Sequence, residues 1–375
     1  MGDADIAIIG GGLAGLTAAI HLSANNLDVV LLEKEKFPHH KVCGEYLSQE
    51  ILPYFSALKV DISSLAPKRI KRLEFSTSTG RTIASALKMG GLGISRYALD
   101  NFLYEKALEK GATILQEIVT NVEFKENSFL VNCAGGNKIK ARFVLGAFGK
   151  RSLMDKKLDR DFIRKKSGWL AVKAHYRQDQ FDEELVSLNN FKGGYCGLSK
   201  VENGNVNVCY LATYESFGKY KNPEDLKENV LFKNPVLKSF FEKAQPLFDK
   251  DLTIAQVSFD KKSVVEDHIL MLGDAAGLIH PLCGNGMAMA IHSAKIASEA
   301  IIANYKKEIR DRQAVEFSYK NEWEKNFKTR MRTGRILQKI LLNPGLAEIS
   351  QNMIKKMPFL IPEIIKRTHG KPLAA

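Results

Sequence analysis

The sequence predicts an α/β fold in three parts: a split parallel-sheet domain over residues 1–165 and 260–305, a β-rich insert over 166–259, and a basic helical segment over 306–375. Three observations predict it. A strand, helix and second strand follow one another within the first 33 residues, joined by a glycine-rich turn. Alternating, β-rich segments dominate from Trp169 to Phe259. From residue 305 onward, ten Lys and six Arg stand against seven acids.

Taken in order, residues 6–9 are a short apolar run that reads as a buried strand, 13–25 as a helix with Leu13, Leu16 and Ile20 on one face, and 28–32 as the second strand. Residues 37–54, punctuated by Pro38, Gly44 and Pro53, read as a loop over the site, with a helix beginning near Ser48. Arg96, Leu99, Leu103 and Ala107 mark a helix that Gly111 closes. Strands follow at 113–116, 122–124, 129–133 and 143–147, with Gly135, Gly136 and Asn137 as a turn. The insert holds strands at 170–176, 206–213 and 253–259 and one helical stretch near 223–232. A strand at 269–272, a glycine-rich loop and a long helix over 286–305 complete the main body.

Hydrophobic residues at 45% and charged residues at 26% describe a globular chain and exclude a disordered or fibrous one. The five cysteines are scattered with no CxxC pair, which indicates neither a zinc site nor a disulfide framework and fits a reducing cytoplasm. No metal site is predicted. The first residues carry no basic export region, and no apolar run reaches the roughly 20 residues of a membrane span. The net charge of +13 lies mostly in the tail, which lacks the aromatics of a nucleic-acid module, so no nucleic-acid partner is expected.

Gly10, Gly12 and Gly15 form GxGxxG between the first strand and helix. The first glycine permits the turn, the second lets the backbone approach a pyrophosphate, and the third packs helix on strand; the helix N-terminus adds amides and a positive dipole. Ala14 lies inside this loop and Lys34 follows Glu33, whose carboxylate can accept from both ribose hydroxyls. Far downstream, Gly273-Asp274-Ala275-Ala276 places an aspartate at a strand end, able to bind a ribityl hydroxyl. The loop Pro281, Gly284, Gly286 and Met287 then delivers a helix N-terminus that can stabilise negative charge on a flavin. Together these indicate non-covalent FAD.

With Lys41-Val42-Cys43-Gly44-Glu45, Arg96 heading its helix, and the run from Gly146 to Ser152 that contains Gly149, residues 4–305 resemble the FAD-dependent superfamily of the p-hydroxybenzoate hydroxylase-like (group A) monooxygenases and the geranylgeranyl reductases. The resemblance implies a Rossmann-like FAD-binding domain of the glutathione reductase type with an inserted substrate domain. It implies Arg96 over the FAD phosphates, Val119 near the adenine, and Cys43 and Gly44 beside the flavin. Two departures bear on the reaction. Phe148-Gly149 stands where many of these monooxygenases carry Asp-Gly for NAD(P)H contacts. Glu45 follows Cys43-Gly44 where the geranylgeranyl reductases carry Cys-Gly-Gly, and Gly194-Tyr195-Cys196-Gly197 lacks their tryptophan.

Cys43, Glu45 and His280 are the candidate catalytic groups, the first as a redox or proton-donating thiol or simply a packed side chain. His39 and His40 read as solvated, His292 as structural. Residues 335–342 and 353–366 mix aliphatic with basic residues, broken by Pro344, Pro358 and Pro362; they suit either a helical cap or short helices on an anionic bilayer, so contact through 330–370 is an expected feature of a chain peripheral on the inner membrane face. With no second GxGxxG, electrons would come from transient NAD(P)H or a separate donor protein. The leading expectation is a monooxygenase acting on a hydrophobic, aromatic or polyketide- or lipid-like substrate. The alternatives are a reductase of isoprenoid C=C bonds and a non-catalytic, basic, membrane-associated flavoprotein. No WxWxIP-like signature supports halogenation.

Overall fold

The computed structural model of the chain describes residues 2–220, 222–307, 311–357 and 359–374. Strand β1 (Gly2–Ile9), helix α1 (Leu13–Ser23) and β2 (Val29–Glu33) form the expected βαβ unit. Next come β3 (Tyr46–Ser48), β4 (Lys68–Ser76), β5 (Thr82–Gly93), helix α2 (Arg96–Glu109) and β6 (Thr113–Gln116). The strands β7 (Val119–Lys125), β8 (Ser128–Cys133) and β9 (Lys138–Gly146) precede an antiparallel run of β10 (Trp169–Arg177), β11 (Leu185–Phe191), β12 (Gly194–Lys200) and β13 (Val206–Thr213). The chain then returns through β14 (Ile269–Met271) to helices α3 (Gly286–Tyr305), α4 (Arg312–Leu342), α5 (Pro344–Lys356) and α6 (Leu360–Thr368).

Two sheets organise the molecule. In the first, β14, β9, β1, β2 and β6 lie side by side and parallel, with the β7–β8 hairpin attached to β9. Ile6, Ala7 and Ile8 are fully buried at its centre, where α1 packs on β1 and β2 and α3 packs on α1, and a buried parallel strand reads as an apolar run. In the second, β10, β13, β12 and β11 are antiparallel, β11 pairs parallel with β4, and β5 and β3 extend the edge. Residues 46–93, placed by sequence in the first domain, supply three strands to the second sheet, because the register Leu185↔Arg72 through Asn189↔Ser76 joins segments more than 100 residues apart.

The loop expected over 37–54 is only partly a loop. It ends in β3 and a turn over Gln49–Ile51 that runs into a helix at Leu52–Ala57, with Ser48 Oγ accepting from the Glu50 amide at its start. In the tail, residues 335–342 are the last turns of the 31-residue α4 and not a separate helix. Pro344 opens α5, Pro362 lies inside the first turn of α6, where no intrahelical N–H partner is needed, and Pro358 lies outside the described residues. Tyr319, Trp323 and Phe327 on α4 are buried against the main body, so the first half of the tail belongs to the core.

Candidate functional site

The glycine loop is shaped by close approach. Gly10 has φ +109°, and a Cβ there would stand 2.5 Å from the Ala147 carbonyl oxygen; one on Gly15 would stand 2.0 Å from that of Gly10. A Cβ on Gly12, by contrast, meets only Arg96 Nη2 at 3.5 Å and Lys41 Nζ at 4.0 Å, so this is the face left open to a ligand. Glu33, buried at the end of β2, accepts from the Gly11 amide at 2.6 Å and from Glu35 N at 3.0 Å, which fixes its carboxylate at the loop with lone pairs to spare.

Two cations stand over this loop. Arg96 makes a bidentate pair with Asp100, both contacts 2.7 Å, and Lys41 Nζ lies 3.0 Å from the same carboxylate. Burial alone would push the Asp100 acid up, but Arg96 and Lys41 outweigh it and hold it below the usual range. Two cations sharing one carboxylate leave one positive charge uncompensated beside Gly12, as a pyrophosphate requires.

At the other end, Gly273 (φ +55°) brings the backbone close to Ala14, and Asp274 lies 3.3 Å from Lys150 Nζ. Burial works against the Lys150 ammonium, yet Asp274 raises its pKa overall. Helix α3 begins at Gly286 with no side-chain cap from Asn285. That amide is engaged elsewhere: Asn285 Nδ2 donates to Glu50 Oε2 at 3.2 Å, and its Oδ1 accepts from Arg330 Nη1 at 3.0 Å. The first amides of α3 are thus left toward the cavity that Gly286 and Met287 line, where they fit the electron-rich edge of a flavin. The cradle, the surplus cation and the uncapped helix all fit FAD.

These features open into one cavity of about 340 Å³. Gly12, Ala14, Cys43, Gly44, Arg96, Gly149, Gly273, Asp274, Pro281, Gly284, Gly286 and Met287 line it, so most of the residues expected at the cofactor come together. Gly10, Gly15 and Glu33 stand behind the loop and shape it. Lys34 and Val119 are not on the cavity wall. The Lys34 side chain is exposed and pairs with Glu35, because residue 34 lies just past the end of β2; Val119 is buried at the head of β7, paired with Cys133.

Beyond the cofactor end, the wall is mostly apolar, with Tyr195, Tyr210, Ser199 and Thr368 among its few polar groups. Leu73, Phe75 and Leu198 come from the second sheet, and Ile354, Ile361 and Ile364 from α5 and α6. The tail therefore covers the cavity. Its last residues are clasped by Glu50, which is fully buried: Oε1 accepts from Arg330 at 3.0 Å, Oε2 from the Gly370 amide at 2.6 Å, and its carbonyl from Leu373 N at 2.7 Å. His369 reaches the wall near Gly284 and Tyr46, with Nε2 unpartnered among the described residues.

Of the catalytic candidates, Cys43 is half-buried on the wall, which Arg96 and Lys150 also line. Glu45 is fully buried with φ +52°, a left-handed conformation rare for a residue with a side chain. It accepts from Lys173 Nζ at 2.5 Å, His175 Nε2 at 2.7 Å and the Arg96 amide at 2.7 Å. Burial opposes its charge, but His175 and Lys173 hold its acid below the usual carboxylate range, and its three contacts anchor β10 and the head of α2 to the loop. His280 is walled off among Trp169, Tyr195 and Phe259, and burial holds its pKa down to about 3; it is not at the cavity wall.

His40 is not solvated as expected. It packs against Tyr97, Phe248 and His175, which places His40, Glu45 and His175 at spacings that suit a cation. Lys173 already supplies the positive charge there. His292 is buried on α3 against Phe327, in keeping with a structural role. Sequence reading missed Lys173 and His175, although two polar residues at i, i+2 in the otherwise apolar β10 are a legible signal of an inward polar face. It also missed Glu50 and Arg330, whose partners lie 280 residues apart.

A family model described as FAD binding domain matches residues 3–322. The chain is 24% identical over 352 residues to conditioned medium factor receptor 1 of Dictyostelium discoideum, covering 86% of this chain and 68% of that protein. It is 25% identical over 322 residues to digeranylgeranylglycerophospholipid reductase 1 of Methanosphaera stadtmanae, covering 81% and 77%. Among solved structures, the flavin-dependent brominase Bmp2 superposes with a TM-score of 0.80 at 19% identity, covering 98% of this chain and 93% of that one, which speaks to the fold. With the glycine cradle, the Arg96 cation and the uncapped helix at Gly286 in place, the match shows that this chain belongs to the FAD binding domain family and is an FAD-dependent oxidoreductase.

Proposed function

We propose that the chain is a flavin-dependent reductase that saturates carbon–carbon double bonds in a long, hydrophobic, isoprenoid-type substrate. The observation that carries this reading is the mostly apolar cavity running from Cys43 to the cover formed by α5 and α6. A hydrocarbon chain has nothing to hydrogen-bond and is recognised by shape and dispersion, which such a wall supplies. Hydroxylation of an aromatic ring, the leading expectation from sequence, would use the few polar groups on this wall, such as Tyr195, Tyr210 and His369, and leaves the long apolar stretch beneath α5 and α6 without a role.

Glu45 bears on the choice as well. At the position of the second glycine of Cys-Gly-Gly, Glu45 adopts a left-handed backbone of the kind glycine favours and adds a carboxylate that holds β10 in place. The named activity of the Methanosphaera relative is in line with this chemistry.

When bound and reduced, FAD supplies the hydride. The chain would hold the double bond against the second sheet, exclude water beneath α5 and α6, and deliver a proton from Cys43 Sγ to the carbon opposite the one that receives the hydride. Electrons would come from NAD(P)H in transient contact or from a donor protein.

The test is to reduce FAD-loaded protein with dithionite without oxygen, add a geranylgeranyl lipid, and read the product by mass. Gain of two hydrogens per double bond supports the proposal. Product that forms only in air and carries one added oxygen overturns it in favour of hydroxylation.

A further inference from the structure

We propose that the outer face of α5 is a docking surface for an anionic phospholipid bilayer. Leu346, Ile349 and Met353, at i, i+3 and i+7, are 45%, 65% and 50% exposed, and Met357 continues the stripe at 40%. Helical residues at this spacing share one face. The adjoining face of the same helix is committed inward: Ser350 and Ile354 line the cavity, joined by Ile361, Ile364 and Ile365 of α6. The cover is thus a single layer of helix with apolar side chains on both sides, the cavity beneath it and none of the described chain above it.

Charge identifies the occupant. Residues 330–375 hold nine Lys and Arg against two Glu. Lys339, Lys356, Lys366 and Arg367 are exposed, and Lys356, seven residues after Ile349, lies on the apolar stripe itself. A predominantly cationic rim around exposed aliphatic side chains, with Arg367 paired to Glu363, matches an anionic headgroup layer over acyl chains: the lysine stems lie along apolar surface while their ammonium groups stay at the phosphates. No described helix is long and apolar enough to cross a membrane, so the contact is with one leaflet. That this surface draws the substrate from the bilayer rests on the reductase reading; the docking itself does not.

The experiment is co-sedimentation of the full, FAD-loaded chain with vesicles of phosphatidylcholine alone or mixed with phosphatidylglycerol, at low and high salt. We expect sedimentation with the mixed vesicles only, and weaker binding at high salt. The triple variant Leu346→Ser, Ile349→Ser, Met353→Ser should bind about tenfold more weakly or worse, and Lys356→Glu should also weaken binding, with flavin absorbance and melting temperature unchanged. Wild-type protein that stays in the supernatant with both vesicles overturns the proposal, as does a triple variant that binds as well as wild type. A wild-type dimer that becomes monomeric in the triple variant, without vesicle binding, would assign the face to a second copy and overturn it too. Sedimentation is read without substrate, so loss of the reductase reading and loss of docking are separate results.

Discussion

Glu45 shows how one side chain can hold distant segments of a site together. Its carboxylate pairs with a buried lysine and hydrogen-bonds a buried histidine, and replacing it by a neutral group strands the Lys173 charge. Glu45→Gln should cost about 3–5 kcal/mol, read as a lower urea midpoint, because an uncompensated buried cation is the expensive product. Cys43→Ala should leave flavin binding intact and lower reduction of the lipid substrate by about 10²-fold, the scale of general acid catalysis, when turnover is measured with pre-reduced enzyme. Acid also finds the buried histidines. Burial holds His280 and His292 down to about 3 from the ordinary 6.5, so between those values the unfolded chain takes up protons that the folded one refuses. Stability therefore falls as pH drops through that window, by about 2 kcal/mol per histidine near pH 5. His292→Leu should flatten the fall of melting temperature with acid. The sequence displays each of these residues but not the pairings. Nothing local links Glu45 to Lys173, 128 positions later; only the packing of β10 against the loop brings them together.

At the scale of elements, the nucleotide-binding half was legible because its rules are local. A strand, a glycine turn and a helix announce themselves within 25 residues, and α1, α2 and α3 stand where periodicity and Gly111 placed them. Gly12→Val should give folded protein that no longer retains FAD, since the added side chain fills the open face of the loop; absorbance at the flavin band against unchanged far-UV circular dichroism checks it. The second sheet was less legible. β4 and β5 lie in a stretch from which no element was drawn, and their place is set by pairing with β11, a long-range choice that alternation in a single strand cannot reveal. The tail was read as either cap or membrane helix. It divides instead, with α4 packed on the core and α5 and α6 over the cavity.

For the whole molecule, the clasp at Glu50 carries a consequence for the cofactor. Asn285 is bound to Glu50 and Arg330, and this is what leaves the first amides of α3 uncapped for the flavin. Breaking the clasp frees Asn285 to turn back and cap its own helix. Closure of the tail and affinity for FAD are then two readings of one equilibrium, and linkage requires that each shift the other by the same factor. Arg330→Met, remote from the glycine loop, should weaken FAD binding about 5-fold or more, as titration by flavin fluorescence would show. Reciprocally, saturating FAD should slow amide exchange in α5 and α6. A tail coupled to the cofactor site through a shared asparagine would then report whether the flavin is in place.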